Sequence, residues 1–165
     1  MMRTALALAT FAVNALAQTP EEKAAYPEYA EGFAKWGYTW EPIKVHTDDG
    51  YTLTMFHFTG HVDIGPFDRH PVEVTKNAVI MQHGMGGSGA NWLIGIRDMI
   101  TPAQRATKPM AVQLVELGFD VYLTNNSGVQ YSQVHDTLTV DDNEFWMMDW
   151  SKYGTIDFPA AVTEI

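Results

Sequence analysis

The residues with the most chemical potential in this sequence lie in one short run, His83-Gly84-Met85-Gly86-Gly87-Ser88-Gly89. Glycines at 84, 86 and 87 let a backbone turn its N–H groups toward one point, where they can receive negative charge. The same run also reads as a tight strand-to-helix turn with no ligand. Ser88 stands in Gly86-Gly87-Ser88-Gly89-Ala90, one residue short of G-x-S-x-G. A nucleophile elbow sets its serine directly on the turn that leaves a strand. Here the strand is read as ending at Gln82, so Ser88 is disfavoured as a nucleophile. Ser127, Ser132 and Ser151 have no elbow glycines at all.

The other polar clusters read as structural. Asp48-Asp49-Gly50 carries the Asp-Gly signature of a hairpin turn, and Asp120 sits where a strand begins. His57 and His61 are four apart on or beside a strand, where that spacing forces no common face, and they read as surface histidines. Asp141, Asp142 and Glu144 lack the spacing of a calcium loop and read as a solvated loop. Trp146, Trp150 and Tyr153 read as packing residues, with the lining of an apolar substrate pocket as the alternative. Asn125-Asn126-Ser127 matches a glycosylation sequon, but a strand-end loop is a poor acceptor. There is no cysteine, which excludes a disulfide scaffold, thiolate metal sites and a cysteine nucleophile.

The elements that must position the glycine loop follow from the hydrophobic pattern. Residues 43–58 read as a hairpin around Asp49-Gly50. Ala78-Val79-Ile80-Met81 is a continuous apolar run, the mark of a strand buried on both faces in a parallel sheet. The glycine loop therefore sits at the carboxyl end of a buried strand, where α/β proteins place their sites. Pro109 to Leu117 reads as a helix with Met110, Leu114 and Leu117 on one face and Gly118 as its stop. Residues 119–124 are the next buried strand, and Thr155 to Ile165 begins another helix, with Pro159 in its first turn. Residues 18–40, polar with scattered aromatics, read as an N-terminal arm on the domain surface with a helical turn near 27–35.

The chain has 165 residues, 46% hydrophobic and 18% charged. That is an ordinary globular balance. Its net charge is −10 with no basic block, which argues against nucleic acid as a partner. At the N-terminus, Arg3, a short apolar run from Thr4 to Val13 and Ala15-Leu16-Ala17 form the three parts of a signal peptide over residues 1–17. That run is too short to span a bilayer, and no later stretch reads as a transmembrane helix. Its removal would leave a net charge of −11.

Four stretches in order resemble the acid lipase family of α/β-hydrolases, the gastric and lysosomal acid lipases. Val45-His46-Thr47-Asp48-Asp49-Gly50-Tyr51-Thr52-Leu53 resembles the family's T-x-D-G-Y-x-L hairpin. Gln82-His83-Gly84-Met85, with Ser88, Asn91 and Trp92, resembles Q-H-G-L…S…N-W. Leu117-Gly118-Phe119-Asp120-Val121-Tyr122-Leu123, with Asn125 and Gly128, resembles A-G-x-D-V-W-x-G-N-x-R-G. Glu144-Phe145-Trp146 and Asp157-Phe158-Pro159-Ala160 resemble E-F-W…Y-D-L-P-A. The similarity runs from about Tyr38 to Ile165. One departure is Ser127, where the family carries Arg.

The resemblance implies an α/β fold: the N-terminal half of an α/β-hydrolase, with a hairpin followed by parallel strands and crossover helices in an incomplete sheet. Residues 41–165 would be a partial lipase domain, truncated before the nucleophile elbow. The backbone N–H of Met85 would be an oxyanion-hole donor, with His83, Gly84 and Gly86 shaping that loop. The nucleophilic Ser, the acid and the His of the triad lie outside this chain. The implied activity is hydrolysis of triacylglycerol or sterol esters at a lipid–water interface, secreted or in a lysosomal lumen, with no cofactor and no metal. A third reading is another α/β-hydrolase chemistry, such as a peptidase or epoxide hydrolase, which the identity of the missing nucleophile would decide. The alternative is a non-catalytic hydrolase-fold product acting as a binding or assembly module. It would use an open sheet edge after Val121–Leu123 to dock a protein whose identity the sequence does not specify.

Overall fold

A computed structural model describes residues 19–63, 65–67, 77–94 and 108–165. The expected signal peptide at 1–17 and most of the loop at 59–76 lie outside the described residues. Helices α1 (Pro20–Ala25) and α2 (Pro27–Trp36) precede strands β1 (Tyr38–His46), β2 (Tyr51–His61), β3 (Gly65–Pro66) and β4 (Ala78–Met81). Then come α3 (Asn91–Ile94), α4 (Met110–Glu116), β5 (Asp120–Leu123) and β6 (Val134–His135). A 3₁₀ turn at Asn143–Trp146 leads to α5 (Trp150–Lys152), a π turn at Tyr153–Asp157 and α6 (Phe158–Glu164).

The strands form one mixed six-stranded sheet. β1 and β2 pair antiparallel along their length, from Tyr38 opposite His61 to His46 opposite Thr52. Thr47 closes the hairpin turn, where its Oγ1 accepts from Tyr51 N–H at 2.9 Å. Gly50 takes φ +91° in the same turn, a conformation that favours glycine. β4 and β5 pair parallel, Ala78 against Asp120 and Met81 against Leu123. This mixture of hairpin and parallel strands is the expected α/β arrangement.

Four expectations change. The main strand order is β1-β2-β5-β4, so β5 is flanked on both sides. The chain crosses from β4 through α4 and returns between β4 and the hairpin. Among the described residues the outer edge therefore belongs to β4, not to Val121–Leu123. The described part of the expected arm, residues 19–40, is not confined to the surface. From Tyr38 they join the sheet, and α2 drives Tyr29 and Phe33, both 0% exposed, into the core. Tyr29 stacks on Phe56 with ring centroids 3.5 Å apart, and Phe33 stacks on Trp40 at 5.5 Å. Burial of rings of this size stabilises by about 1.5–3 kcal/mol each. Helix α4 turns a different face inward than its leucines suggested: Ala111, Val112 and Val115 are buried while Met110 and Leu117 stay exposed. Leu114 packs partly against the same core. The fourth change concerns His57, which is buried between Glu41 Oε1 at 3.0 Å and Asp120 Oδ1 at 2.7 Å and stacks on Tyr122. It ties β1, β2 and β5 together and is not a surface histidine.

Candidate active site

β4 and β5 run parallel and end side by side, so the loops that follow them, 82–90 and 124–128, meet at one end of the sheet. Backbone bonding continues the pairing for one more residue, with Thr124 N–H donating to Met81 O at 3.2 Å. The chain after β4 then forms a tight turn over Gly84–Gly87, closed by Gly87 N–H donating to Gly84 O at 3.1 Å. Gly86 occupies the third position of this turn with φ +71°. Turns of this class reserve that conformation for glycine. Among the described residues, the N–H groups of Met85 and Gly86 have no hydrogen-bond acceptor. The turn is exposed, and the Met85 side chain is 65% accessible. A cavity of about 430 Å³ opens beside it, lined by residues that include Glu28, Gly86, Gly87, Ser88, Asn91 and Gly128.

His83 sits beneath this turn, 6% exposed. Asn126 N–H donates to its Nε2 at 3.2 Å, so Nε2 presents its lone pair. Nδ1 lies 2.7 Å from Gly84 O. That carbonyl is a pure acceptor, so Nδ1 must carry the proton. Both nitrogens are thereby committed in a neutral ring. Burial pushes the imidazole below its ordinary value, against the opposing pull of the Gly84 carbonyl and of the Asp157 charge. A ring so engaged has no lone pair available to take a proton from a nucleophile. The geometry suits a brace for the turn rather than a base.

The loop after β5 is almost wholly buried, and its polar groups hold neighbouring segments. Asn125 Oδ1 accepts from Gly89 N–H and from the Tyr29 hydroxyl, each at 3.1 Å, while its Nδ2 donates to Thr54 O at 2.8 Å. Asn126 Oδ1 accepts from Gln82 Nε2 at 2.9 Å. Ser127 donates from both N–H and Oγ to the Asp157 carboxylate, at 2.7 Å each. Asp157 is 1% exposed. Desolvation raises its carboxyl above the usual carboxylate range, partly offset by the Ser127 bonds. Ser127 thus occupies the position of the family's Arg and meets a buried carboxylate with neutral donors only.

The remaining serines are accounted for by geometry. Ser132 Oγ donates to Asn125 O and accepts from Thr54 N–H, and Ser151 Oγ donates to the carboxylate of Asp149, the N-cap of α5. Ser88 lines the cavity, and no imidazole bonds to it among the described residues. Asp49 pairs with Lys152 at 3.0 Å, and Asp142 accepts from Thr139. No cluster of His, Asp or Glu among the described residues could hold a metal ion, and none of the described helices is long and apolar enough to cross a membrane. Trp146 and Trp150 are 47% and 62% exposed, so they are not core packing. The sequon asparagine, Asn125, is 1% exposed and out of reach of modification. Sequence reasoning missed the structural work of Asn125 and Asp157. Their signal was a run of small polar residues directly after a buried strand, where only paired polar groups can be buried.

A family model described as the partial alpha/beta-hydrolase lipase region matches residues 29–96. Lysosomal acid lipase/cholesteryl ester hydrolase of Homo sapiens is 29% identical over 140 residues, covering 82% of this chain and 31% of that protein. Lipase member M of Mus musculus is 30% identical over 129 residues, covering 78% of this chain and 27% of that protein. Lipase lipl-3 of Caenorhabditis elegans is 32% identical over 148 residues, covering 88% of this chain and 32% of that protein. The chain thus spans about a third of the length of the curated relatives it matches. With the mixed sheet and the glycine turn at the end of β4, these matches make the chain a homologue of the acid lipases that carries part of an α/β-hydrolase lipase region.

Proposed function

We propose that this chain forms part of a lipase that hydrolyses carboxylic esters of lipids, triacylglycerol or sterol ester, through a Ser-His-Asp acyl-enzyme route. The observation that carries this reading is the exposed Gly84–Gly87 turn at the carboxyl end of β4, where the Met85 N–H lacks an acceptor among the described residues. In ester hydrolysis the serine oxygen attacks the carbonyl carbon, a histidine takes the serine proton, and negative charge collects on the carbonyl oxygen. Two backbone N–H groups then stabilise that oxygen, one from the residue after the nucleophile and one from the loop after the third strand of the fold. Met85 N–H is the second of these donors, Gly86 with its positive φ lets the turn form, and His83 braces it from below through its bond to Gly84 O.

The nucleophile, acid and base belong to sequence outside these 165 residues. Residues 1–17 are a signal peptide that delivers the protein to a secretory or lysosomal lumen, and residues 41–165 are the front part of the hydrolase domain. Sequencing the mature transcript past the Ile165 codon tests this. The reading expects the frame to continue and to encode G-x-S-x-G within roughly 20 residues, at the end of a buried strand. A stop codon there would sink it for this product and favour a non-catalytic binding module. An Asp in place of the Ser would point to a different hydrolase chemistry.

A further inference from the structure

The oxyanion reading leaves open what keeps residues 83–89 in place, since an exposed glycine turn does not hold its own geometry. We propose that Asn125 is a positioning residue for this loop. Its side chain clamps the loop at the helix end, while the adjoining Asn126 backbone clamps it at the strand end. The inference rests on the oxyanion reading of the loop.

The orientation of the Asn125 amide follows from its partners. Gly89 N–H can only donate, so the atom facing it at 3.1 Å is the oxygen. Thr54 O can only accept, so the atom facing it at 2.8 Å is the nitrogen. The oxygen takes a second bond from the Tyr29 hydroxyl at 3.1 Å. One side chain therefore joins α2, β2 and the start of the segment leading to α3. It does so with both oxygen lone pairs in use and 1% of its surface exposed. The close approach depends on Gly89: a Cβ there would lie 2.6 Å from Tyr29 Oη and 2.8 Å from Thr124 O. One residue on, Asn126 N–H donates to His83 Nε2 at 3.2 Å, and His83 Nδ1–H donates to Gly84 O at 2.7 Å. Two consecutive residues after β5 thus grip both ends of the loop and leave only its turn free. An alanine at 125 would release Gly89 and take a hydrogen bond from three buried partners at once.

The test is residue-resolved amide exchange on the full 165-residue chain, wild type against Asn125→Ala, with Tyr29→Phe as comparison. Asn125→Ala is expected to speed exchange at Gly89 at least tenfold relative to β1 and β2 amides in the same sample. It should also move the His83 ring ¹⁵N shifts away from the Nδ1–H pattern. Tyr29→Phe removes the other donor to the same oxygen and is expected to leave Gly89 protected. Wild-type exchange at Gly89, or an equal acceleration across all strands, overturns the proposal. If Asn125→Ala does not fold, Asn125→Asp replaces it. The Gly89 amide proton should then shift downfield and titrate with the introduced carboxylate, and absence of titration overturns the proposal. These readouts ask only whether Asn125 holds the loop. Whether the loop serves ester hydrolysis is decided by rates in the full-length enzyme, so either reading can fail alone.

Discussion

Lowering the pH from 7.5 to 5.5 sets the buried ring of His83 against its own hydrogen bonds. In the native state Nε2 must stay unprotonated to accept from Asn126 N–H, and burial holds the imidazole below its ordinary value. In the unfolded chain the ring titrates near 6.5. A depressed native value means that the His83 contribution is fully present above about pH 6.5 and is lost as pH falls through the native value. The unfolded state binds the proton first, so the free energy of unfolding declines with falling pH. One proton limits that slope to about 1.4 kcal/mol per pH unit. His83→Gln removes the titration and leaves the Asp157 charge in place in both proteins. Urea unfolding at half-unit pH steps should show the wild-type curve falling away from the variant below pH 6.5. Parallel curves, or ring ¹⁵N shifts of an imidazolium in the folded protein at pH 6.5, would refute the neutral-brace account.

Other perturbations follow from the same contacts. Asp157 has the opposite sign, because burial raises its carboxyl. Its contribution is greatest below the unfolded value, near 3.8, and declines as pH rises through the raised native value. Asp157→Asn should therefore gain in Tm relative to wild type between pH 4 and pH 7, and a constant difference would count against it. A Cβ at Gly89 meets Tyr29 and Thr124, so Gly89→Ala should cost about 1–3 kcal/mol by overpacking. A Cβ at Gly84 would meet nothing within 4 Å. Gly84→Ala should therefore stay within about 0.5 kcal/mol of wild type by urea titration. Phe33 fills a fully buried ring site, and Phe33→Ala should cost about 3–5 kcal/mol in the same assay.

Much of this fold is written in local pattern. The apolar runs at 78–81 and 121–123 show in sequence as strands, but only Val121–Leu123 is buried throughout. Among the described residues β4 lies at the sheet edge with Ala78 exposed and only Met81 buried, so the expected burial of both its faces does not hold. The Asp49-Gly50 turn and the Gly118 helix stop show because both glycines take positive φ, at +91° and +90°. What stays hidden is the partner of each face. Tyr29 and Phe33 sit among glutamates and alanines, and only the docking of α2 on Trp40 and Phe56 makes them core. His57 looks like any strand histidine until Glu41 and Asp120, which are 16 and 63 residues away, arrive at its two nitrogens. Strand order is equally non-local, since no residue of β5 announces that the chain will return between β4 and the hairpin. At the site, the glycine turn was legible from composition. The Asn125–Ser127 belt was legible only as a sequon, because its function is to pair with groups from distant segments.

The central claim is that the Met85 backbone N–H, not its side chain, stabilises the reacting ester. The turn makes this separable. Met85 holds the second position, where proline is favoured, and Gly86 holds the third with φ +71°. Met85→Pro removes the N–H while keeping the turn, and Met85→Ala removes the side chain while keeping the N–H. The decisive measurement is kcat for ester hydrolysis by both variants in the full-length enzyme. The account predicts that Met85→Pro lowers kcat by about 100- to 1,000-fold, the usual effect of losing one oxyanion donor. It predicts that Met85→Ala stays within a few-fold of wild type. Equal losses in both variants, or a Met85→Pro enzyme as fast as wild type, would contradict it.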